Sequence, residues 1–342
     1  MGEDGYTESI HGTDYTPPEI SADILRKLKN DAEGYLGDDA AEAVVTVPAY
    51  FTIKQTSATK DAAEKAGFEN THLINEPTAA ALAYGNGKDL DETLLVYDFG
   101  GGTLDISVIE VSDDEYNVLA TDGDNDLGGS NFDKALMNLL AERYKDEKGL
   151  EILDDAEVRA NLRTQAEETK IDLSSDEETE AIAPFLGQIE GEIIDLTEID
   201  NTVTRETFEQ ETQDLRDRAI DPVEDALDKA KLDTEDVDTV LLVGGSTMIP
   251  SIQDRIEEFV GIEPTQTLDP DKIVAQGAAV YAQREINPGY RCAECGKEFD
   301  TLLELNDHYD EDHSSDDSDA LECPQCDEEF DSNDEREAHI SK

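Results

Sequence analysis

The chain has 342 residues, long enough for two or three domains with sizeable cores, and 86 Asp and Glu against 26 Lys and Arg give it a formal charge of -60. The acidic residues run along the whole length, which favours solvation in high salt, as in halophilic proteins, over a partner-binding role, and disfavours nucleic-acid binding through clustered basic residues. No apolar run reaches the ~20 residues of a membrane helix and residues 1–15 are polar, which argues against membrane insertion and a signal peptide and predicts a cytoplasmic protein.

The first predicted element is an amphipathic helix over residues 19–36, which follows Pro17 and Pro18 and stops at Gly37. Its apolar stripe has helical spacing and consists of Ile20, Ile24, Leu25 and Leu28. Further helices are predicted at 56–66, 79–84, 132–145, 156–171, 205–231 and 250–260, and strands at 43–47, 71–74, 93–97, 104–111 and 240–243. This alternation of strands and helices predicts an α/β layered core.

A glycine-rich hairpin is predicted where the strand at 93–97 runs into Asp98 and Phe99 and a second strand follows at once. The turn between them is formed by Gly100, Gly101, Gly102 and Thr103. Glycine allows backbone N–H groups to point inward and bind phosphate oxygens. A triple glycine alone is also compatible with an ordinary tight turn.

Seven motifs occur in order along the chain: V-P-A-Y-F at 47–51, I-N-E-P-T-A-A-A-L-A-Y-G at 74–85, Y-D-F-G-G-G-T-L-D-I-S at 97–107, L-G-G-S-N-F-D at 127–133, D-P-V-E at 221–224, L-V-G-G-S-T at 242–247 and D-P-D at 269–271. From about residue 15 to 285 the chain therefore resembles the nucleotide-binding domain of the seventy-kilodalton heat-shock chaperones of the DnaK type. The resemblance implies the actin-like ATPase fold, with two lobes and ATP or ADP with magnesium in the cleft between them.

The resemblance also implies roles for individual residues. The hairpin corresponds to the family's second phosphate loop, with Thr103 near the γ-phosphate. Asp98 and Asp105 correspond to carboxylates around magnesium and the attacking water. Glu76 corresponds to the glutamate that links this water to interlobe movement, and Pro48 to the proline that switches the movement. The implied catalytic residues are Glu76, Asp98, Thr103 and Asp105. The implied nucleotide contacts are Gly100, Gly101, Gly102, Thr103, Gly128, Gly129, Glu167, Lys170, Ser174, Gly244, Gly245, Ser246 and Asp271.

Alternative structural roles exist for some of these residues. Glu76 is also explained as a helix N-cap and Pro48 as a turn proline. Glu167 and Lys170 lie one turn apart on a predicted helix, where the family contacts the ribose, but the same spacing suits a surface salt bridge.

The sequence departs from the family at several positions. The family's first phosphate hairpin, of D-L-G-T-T type, and its catalytic lysine are expected upstream of residue 19 and do not occur there, which predicts weak or lost hydrolysis and an open edge beside the strand at 43–47. Another polypeptide filling that edge, a wrongly assigned start and a decaying gene are the explanations left open. Thr56 replaces the arginine of the interlobe relay, and Ile171 and Met248 replace two arginines that stack on adenine, which predicts altered rather than absent nucleotide binding.

All the cysteines lie beyond residue 290, in two C-x-x-C pairs. The first pair belongs to a C-x2-C-x12-H-x4-H pattern, which predicts a ββα zinc finger with Phe299 and Leu305 in its core. Its zinc ligands are Cys292, Cys295, His308 and His313, and an incomplete second finger offers Cys323, Cys326 and His339. The base-reading positions of the first finger are Thr301, Glu304 and Asp307, so the acidic surface favours a protein partner over DNA.

The expected organisation is a remnant of the first ATPase lobe at 1–92, a second lobe with its returning helix at 93–286, a linker at 287–291, the zinc finger at 292–313, an acidic linker at 314–322 and the incomplete finger at 323–342. The favoured function is an ATP-binding DnaK-like chaperone protein with impaired hydrolysis and no client-binding domain, from a halophilic archaeon. The alternatives are a zinc-finger interaction module on an inactive ATPase scaffold and a gene fragment. Expected partners are nucleotide, a protein bound by the finger, and co-chaperones or a chain that supplies the missing lobe.

Overall fold

A computed structural model of the chain describes residues 6–10, 12–88, 90–113, 115–265, 268–286, 290–291, 297–299, 308, 321–322 and 329–330. The chain divides into two compact units, Met1–Val280 and Tyr281–Lys342. Across these described ranges, no helix has the length and apolar character that a membrane crossing requires.

The first unit begins with a short antiparallel hairpin followed by alternating helices and strands. In order these are β1 (Glu8–Ile10), β2 (Thr13–Tyr15), α1 (Pro17–Leu36), β3 (Glu42–Val47), α2 (Ile53–Ala66), β4 (Asn70–Asn75) and α3 (Glu76–Gly85). Strands β3 and β4 pair in parallel, with Val47 opposite Asn75. Every strand and helix predicted in this part of the sequence is present.

The apolar stripe of α1 differs from the expectation for an amphipathic helix on a core. Ile24 and Leu28 are 59% and 57% exposed, whereas Ala22 is the buried residue of the helix. The reason is that α1 packs against α2 along another face, so that the described residues offer the stripe little cover. The helix itself is stable locally, because Glu19 accepts a hydrogen bond from the Thr16 backbone at its start and Gly37 adopts a left-handed conformation at its end.

A mixed four-stranded sheet forms the centre of the first unit. Its strands are β5 (Glu92–Phe99), β6 (Leu104–Ser112), β7 (Glu115–Asp124) and β12 (Thr239–Val243), in the order β12-β5-β6-β7. Strand β12 runs parallel to β5, and the other neighbours are antiparallel. Strand β7 was not predicted, because it lies half-buried at the sheet edge and carries polar residues along its length.

Helices and short strands complete the unit between β7 and its end. They are α4 (Gly129–Lys148), α5 (Ala156–Ser175), β8 (Glu178–Glu180), β9 (Gly187–Ile189), β10 (Glu192–Ile194), β11 (Thr202–Thr204), α6 (Arg205–Glu211), α7 (Gln213–Arg218), α8 (Asp221–Ala230), α9 (Pro250–Val260) and α10 (Ile273–Tyr281). The single helix predicted at 205–231 is wrong, since three helices occupy it. Pro222 lacks an N–H and disfavours a helical conformation in the residue before it, so the chain restarts as α8.

The main core lies between β5, β6 and the helices that follow them. Tyr97, Phe99 and Phe132 are fully buried and their rings meet edge to face at about 6 Å. Tyr97 also donates its hydroxyl hydrogen to the carbonyl of Ala219 at 2.9 Å, which ties the sheet to the end of α7. The core therefore fixes the end of β5, where the glycine hairpin begins.

The second unit begins with a π-helical turn at Ala282–Ile286 and contains two small antiparallel strand pairs. These are β13 (Tyr290–Arg291) with β14 (Glu298–Phe299), and β15 (Leu321–Glu322) with β16 (Glu329–Phe330). His308 is buried, and its ring lies 4.6 Å from that of Phe299. The other zinc candidates lie outside the described residues: Cys292, Cys295, His313, Cys323, Cys326 and His339.

Candidate functional site

The glycine hairpin joins β5 to β6 and sets two carboxylates side by side. Asp98 and Asp105 are cross-strand partners, so their side chains lie on the same face of the sheet. The turn is closed by a hydrogen bond from Gly100 N to Thr103 O at 3.0 Å. Thr103 Oγ1 donates to Asp105 Oδ2 at 3.1 Å, which orients that carboxylate.

A third carboxylate, Glu76, lies in the same pocket. Glu76 begins α3 directly after β4, and Pro48 directly follows the parallel strand β3, so both stand at the same edge of that strand pair. The pocket is lined by Pro48, Ala49, Tyr50, Glu76, Pro77, Val96, Asp98, Asp105, Ile106, Ser107, Thr121 and Asp122. The structure therefore brings Glu76, Asp98 and Asp105 together in one pocket.

Burial raises the pKa of all three carboxylates, and repulsion from neighbouring carboxylates adds to this effect at Glu76 and Asp98. Burial, followed by the charges of Asp98 and Asp105, raises the pKa of Glu76 to about 7. Burial and then Asp105 raise the pKa of Asp98 to about 6. Burial also raises the pKa of Asp105, against the opposing effect of its hydrogen bond from Thr103.

The pocket is short of positive charge. Among the described residues that line it there is no Lys or Arg, and Lys229 is paired at the rim with Asp122 at 2.5 Å. The described residues also include no group of three or more His, Cys, Asp or Glu side chains placed to hold a metal ion. Magnesium fits such a site because it keeps several waters and takes only one or two carboxylates together with phosphate oxygens.

A second glycine pair, Gly128 and Gly129, forms a wall against the hairpin. Gly129 N donates to Gly100 O at 3.0 Å, and Ser130 N donates to Gly101 O at 2.8 Å. A Cβ at Gly128 would lie 2.4 Å from the backbone nitrogen of Gly102, so only glycine permits this approach. The wall is also the start of the 20-residue helix α4, whose first amides are taken up by the hairpin carbonyls.

The loop after β12 closes the hairpin from the other side. Gly244 has a positive φ of 83°, and a Cβ there would lie 2.5 Å from Phe99 O. Ser246 Oγ donates to Gly100 O at 2.8 Å. A Cβ at Gly245 would lie 3.2 Å from Asp271 Oδ1, which places the predicted Asp271 beside this loop.

Helix α5 contributes the remaining predicted residues. Lys170 Nζ lies 2.6 Å from Asp133 Oδ1 and 3.4 Å from Gly129 O, so this lysine reaches the glycine wall. Ser174 Oγ donates a hydrogen bond to Lys170 O within the helix at 3.2 Å. Glu167, one turn before Lys170, is exposed. The salt bridge that Lys170 makes is thus with Asp133 on α4.

Two residues at the site were missed. Asp133 ends the L-G-G-S-N-F-D motif and is only 4% exposed, and a buried acidic residue generally has a partner. Tyr50 lies in the V-P-A-Y-F motif and lines the carboxylate pocket; burial, followed by the charges of Asp105, Glu76 and Asp98, raises the pKa of its hydroxyl. Both residues belong to motifs identified in the sequence, but nothing in the sequence indicated that their side chains face the site.

Comparison with known proteins shows which family and which proteins the sequence is similar to. The sequence profile of the Hsp70 family, described as "Hsp70 protein", matches residues 2–290. Two curated relatives, each named "Chaperone protein DnaK" and both from Halobacterium salinarum (strains ATCC 29341 / DSM 671 / R1 and ATCC 700922 / JCM 11081 / NRC-1), are 48% identical over 280 residues. Each match covers 82% of this chain and 44% of the relative. The chain thus spans less than half the length of the curated relatives it matches.

Proposed function

The chain belongs to the Hsp70 family, and we propose that its first unit binds ATP or ADP with magnesium at the glycine hairpin, as part of a DnaK-like chaperone. The observation that carries this proposal is the enclosure of Gly100 by two other backbone segments, through Gly129 N at 3.0 Å and Ser246 Oγ at 2.8 Å. Three converging glycine-rich segments leave backbone amides without side chains above them, which suits phosphate oxygens.

Each group of residues has a part in holding the nucleotide. The hairpin amides bind the phosphates, and Thr103 lies beside them. Asp98 and Asp105 would hold the magnesium ion, and Glu76 would hold a water near them. Bound magnesium supplies positive charge that neutralises phosphate oxygens. Its charge would also offset the repulsion that raises the pKa of Glu76 and Asp98.

We assign binding of the nucleoside part of the nucleotide to α5 and the loop after β12. Glu167 and Lys170 contact the ribose, and Ser174 and Asp271 lie on the adenosine side. Ile171 and Met248 are 59% and 50% exposed, and we assign them to the two faces of the base as an aliphatic clamp. Such a clamp holds a purine by apolar contact and lacks the cation–π attraction of arginine.

We infer that the 342-residue polypeptide hydrolyses ATP slowly. Phosphoryl transfer depends on positioned positive charge, and the described lining of the carboxylate pocket offers none from the protein. Thr56, half-buried on α2, replaces the relay arginine and weakens coupling between nucleotide and the rest of a chaperone.

For the second unit we propose one zinc ion held by Cys292, Cys295, His308 and His313, and a partial site at Cys323, Cys326 and His339. The spacing of the ligands supports it, as does the buried position of His308 against the ring of Phe299 at 4.6 Å. The acidic residues of this part of the sequence suit a protein partner with basic residues, and co-chaperones are further proposed partners.

A second candidate function is a zinc-dependent interaction module carried by an inactive ATPase scaffold. The absence of a basic residue from the described pocket lining favours the scaffold over an active enzyme. Nucleotide binding separates the two candidates, because an interaction module has no need of it.

Titration of the chain with ADP and magnesium by calorimetry in molar KCl tests the proposal. Saturable binding that disappears in Gly101→Asp supports it, because no atom lies within 4 Å of a Cβ at Gly101 and the variant therefore tests charge rather than fit. Gly34→Asp is the matched control, since Gly34 is equally open and lies on α1. A folded wild-type chain that does not bind ADP would overturn the proposal.

A further inference from the structure

An almost buried ion pair stands behind the glycine wall. Lys170 of α5 and Asp133 of α4 meet at 2.6 Å, with side chains 12% and 5% exposed. A second ion pair on the same helix, Lys148 with Glu198, is 29% and 59% exposed. The 20-residue helix α4 therefore carries a buried pair near its start and a solvated pair at its end.

Stability alone gives little reason for the buried pair. Removing both charges from water costs several kcal/mol per ion, and apolar residues of similar size often stabilise a protein as well or better. A buried pair of this kind is better explained by the orientation it imposes on one of its members.

The member being oriented is Lys170, because its ammonium lies against the site. A Cβ at Gly129 would lie 3.1 Å from Lys170 Nζ and 2.7 Å from Ser246 Oγ, so the ammonium and that hydroxyl meet over the same glycine. Lysine has three N–H donors. Asp133 takes one and the carbonyl of Gly129 lies near a second, at 3.4 Å, which leaves a third for a ligand.

The charge of Asp133 also decides which ligand atom suits Lys170. A carboxylate at 2.6 Å cancels most of the ammonium's field, so the pair acts on the cleft as a neutral hydrogen-bond donor. Such a donor matches a sugar hydroxyl, whereas the phosphate oxygens match the backbone amides of the hairpin.

We propose that Asp133 is a positioning residue, which fixes Lys170 so that its ammonium donates a hydrogen bond to a ribose hydroxyl of the bound nucleotide. This inference rests on the proposed nucleotide-binding function and adds the residue that acts through Lys170. Asp133 itself touches no ligand.

The test compares ADP with dideoxy-ADP, which lacks both ribose hydroxyls, by calorimetry with magnesium in molar KCl. For the wild-type chain we expect ADP to bind about threefold to tenfold more tightly than dideoxy-ADP, the range of one or two hydrogen bonds. In Asp133→Asn the preference should fall to that of Lys170→Met, while the affinity for dideoxy-ADP stays at the wild-type value. If Asp133 had only a structural role, its substitution would lower the affinities for ADP and dideoxy-ADP by the same factor.

Matched variants separate the outcomes. Glu198→Gln removes the acidic partner of Lys148 at the other end of α4 and should leave both affinities unchanged. If Asp133→Asn does not fold, Asp133→Glu keeps the charge but moves the carboxylate by one methylene, and it should still reduce the preference for ADP. An unchanged preference in a folded Asp133 variant would overturn the inference. A wild-type chain that binds neither ligand would instead refute the proposed function.

Discussion

Ser246 donates its hydroxyl hydrogen to the carbonyl of Gly100 across 2.8 Å, although the two residues are 146 positions apart. The same carbonyl accepts a hydrogen bond from Gly129 N at 3.0 Å. One backbone oxygen of the hairpin thus holds the loop after β12 and the start of α4 together. The nucleotide site proposed for this chain depends on that three-way contact.

We expect Ser246→Ala to lower the free energy of unfolding by about 0.5–1.5 kcal/mol, the net value of one hydrogen bond. The affinity for ADP should fall with it, because the hairpin loses one of its two supports. The matched control is Ser251→Ala. Ser251 is as buried as Ser246, but its Oγ has no hydrogen-bond partner among the described residues, so its loss should cost nothing. Urea unfolding in molar KCl measures both, and equal effects would contradict the role given to Ser246.

Gly128→Ala should damage the site more severely. The added methyl carbon would lie 2.4 Å from Gly102 N and 2.5 Å from Gly101 C, and both are backbone atoms that cannot rotate away. We expect a loss of about 1–3 kcal/mol in stability, as for overpacking, and a drop of at least about tenfold in ADP affinity as the hairpin moves from α4. Gly34→Ala, where nothing lies within 4 Å, should be neutral or stabilising. Full ADP affinity in Gly128→Ala would show that the wall and hairpin need not touch.

The carboxylate pocket predicts a pH dependence of the nucleotide-free chain. The folded-state pKa of Glu76, about 7, lies above its ordinary value of 4.5, so the folded chain holds the proton more tightly than the unfolded chain. Stability from this group is therefore full below about pH 4.5 and is lost as the pH rises to about 7. Asp98, with a pKa of about 6, acts in the same direction over a slightly lower range.

Glu76→Gln should remove this loss, so the variant should gain on the order of 1–2 kcal/mol over the wild-type chain at pH 8 and little at pH 4. Unfolding curves in molar KCl at both pH values measure the difference. The control is Glu110→Gln on strand β6, which removes one acidic charge from an exposed position. A constant difference between Glu76→Gln and the wild-type chain across this pH range would contradict the burial of an unpaired carboxylate.

The net charge of -60 predicts that the chain requires salt to stay folded. The Debye length is about 10 Å at 0.1 M salt and about 3 Å at 1 M, so dilution restores repulsion between acidic side chains. We expect the circular dichroism signal of helix to fall as KCl is diluted to about 0.1 M, and to return when KCl is added back. A midpoint of urea unfolding that is unchanged by KCl would show that the acidic surface has no such role.

Local patterns in the sequence predicted most of the longer elements of the first unit, but not its short strands or all of its contacts. The hairpin at 98–105 and helix α9 were predictable because glycine, proline and apolar periodicity act over a few residues. The Asp133–Lys170 pair joins two residues that lie 37 positions apart on different helices, and no local pattern encodes that pairing. Strand β7 was missed because its polar residues conceal its alternation, and the exposed faces of Ile24 and Leu28 follow from what packs on α1, not from its sequence.

The ligand pattern of the second unit predicts how much metal the chain holds. We expect one tightly bound zinc per chain at Cys292, Cys295, His308 and His313, because two thiolates and two imidazoles with this spacing close a tetrahedron. Cys323, Cys326 and His339 leave one position to water, so a second ion should be weaker and lost first to a chelator. Zinc supplies about 10–16 kcal/mol to the folding of such modules, so losing one ligand should unfold this unit locally.

Cys292→Ser decides the assignment when compared with Cys323→Ser, its counterpart in the incomplete motif. Metal analysis after dialysis should show the tightly held zinc absent from Cys292→Ser and retained in Cys323→Ser. ADP affinity should be unchanged in both, because the nucleotide residues all lie in the first unit. Wild-type zinc content in Cys292→Ser would mean that these four residues do not form the metal site.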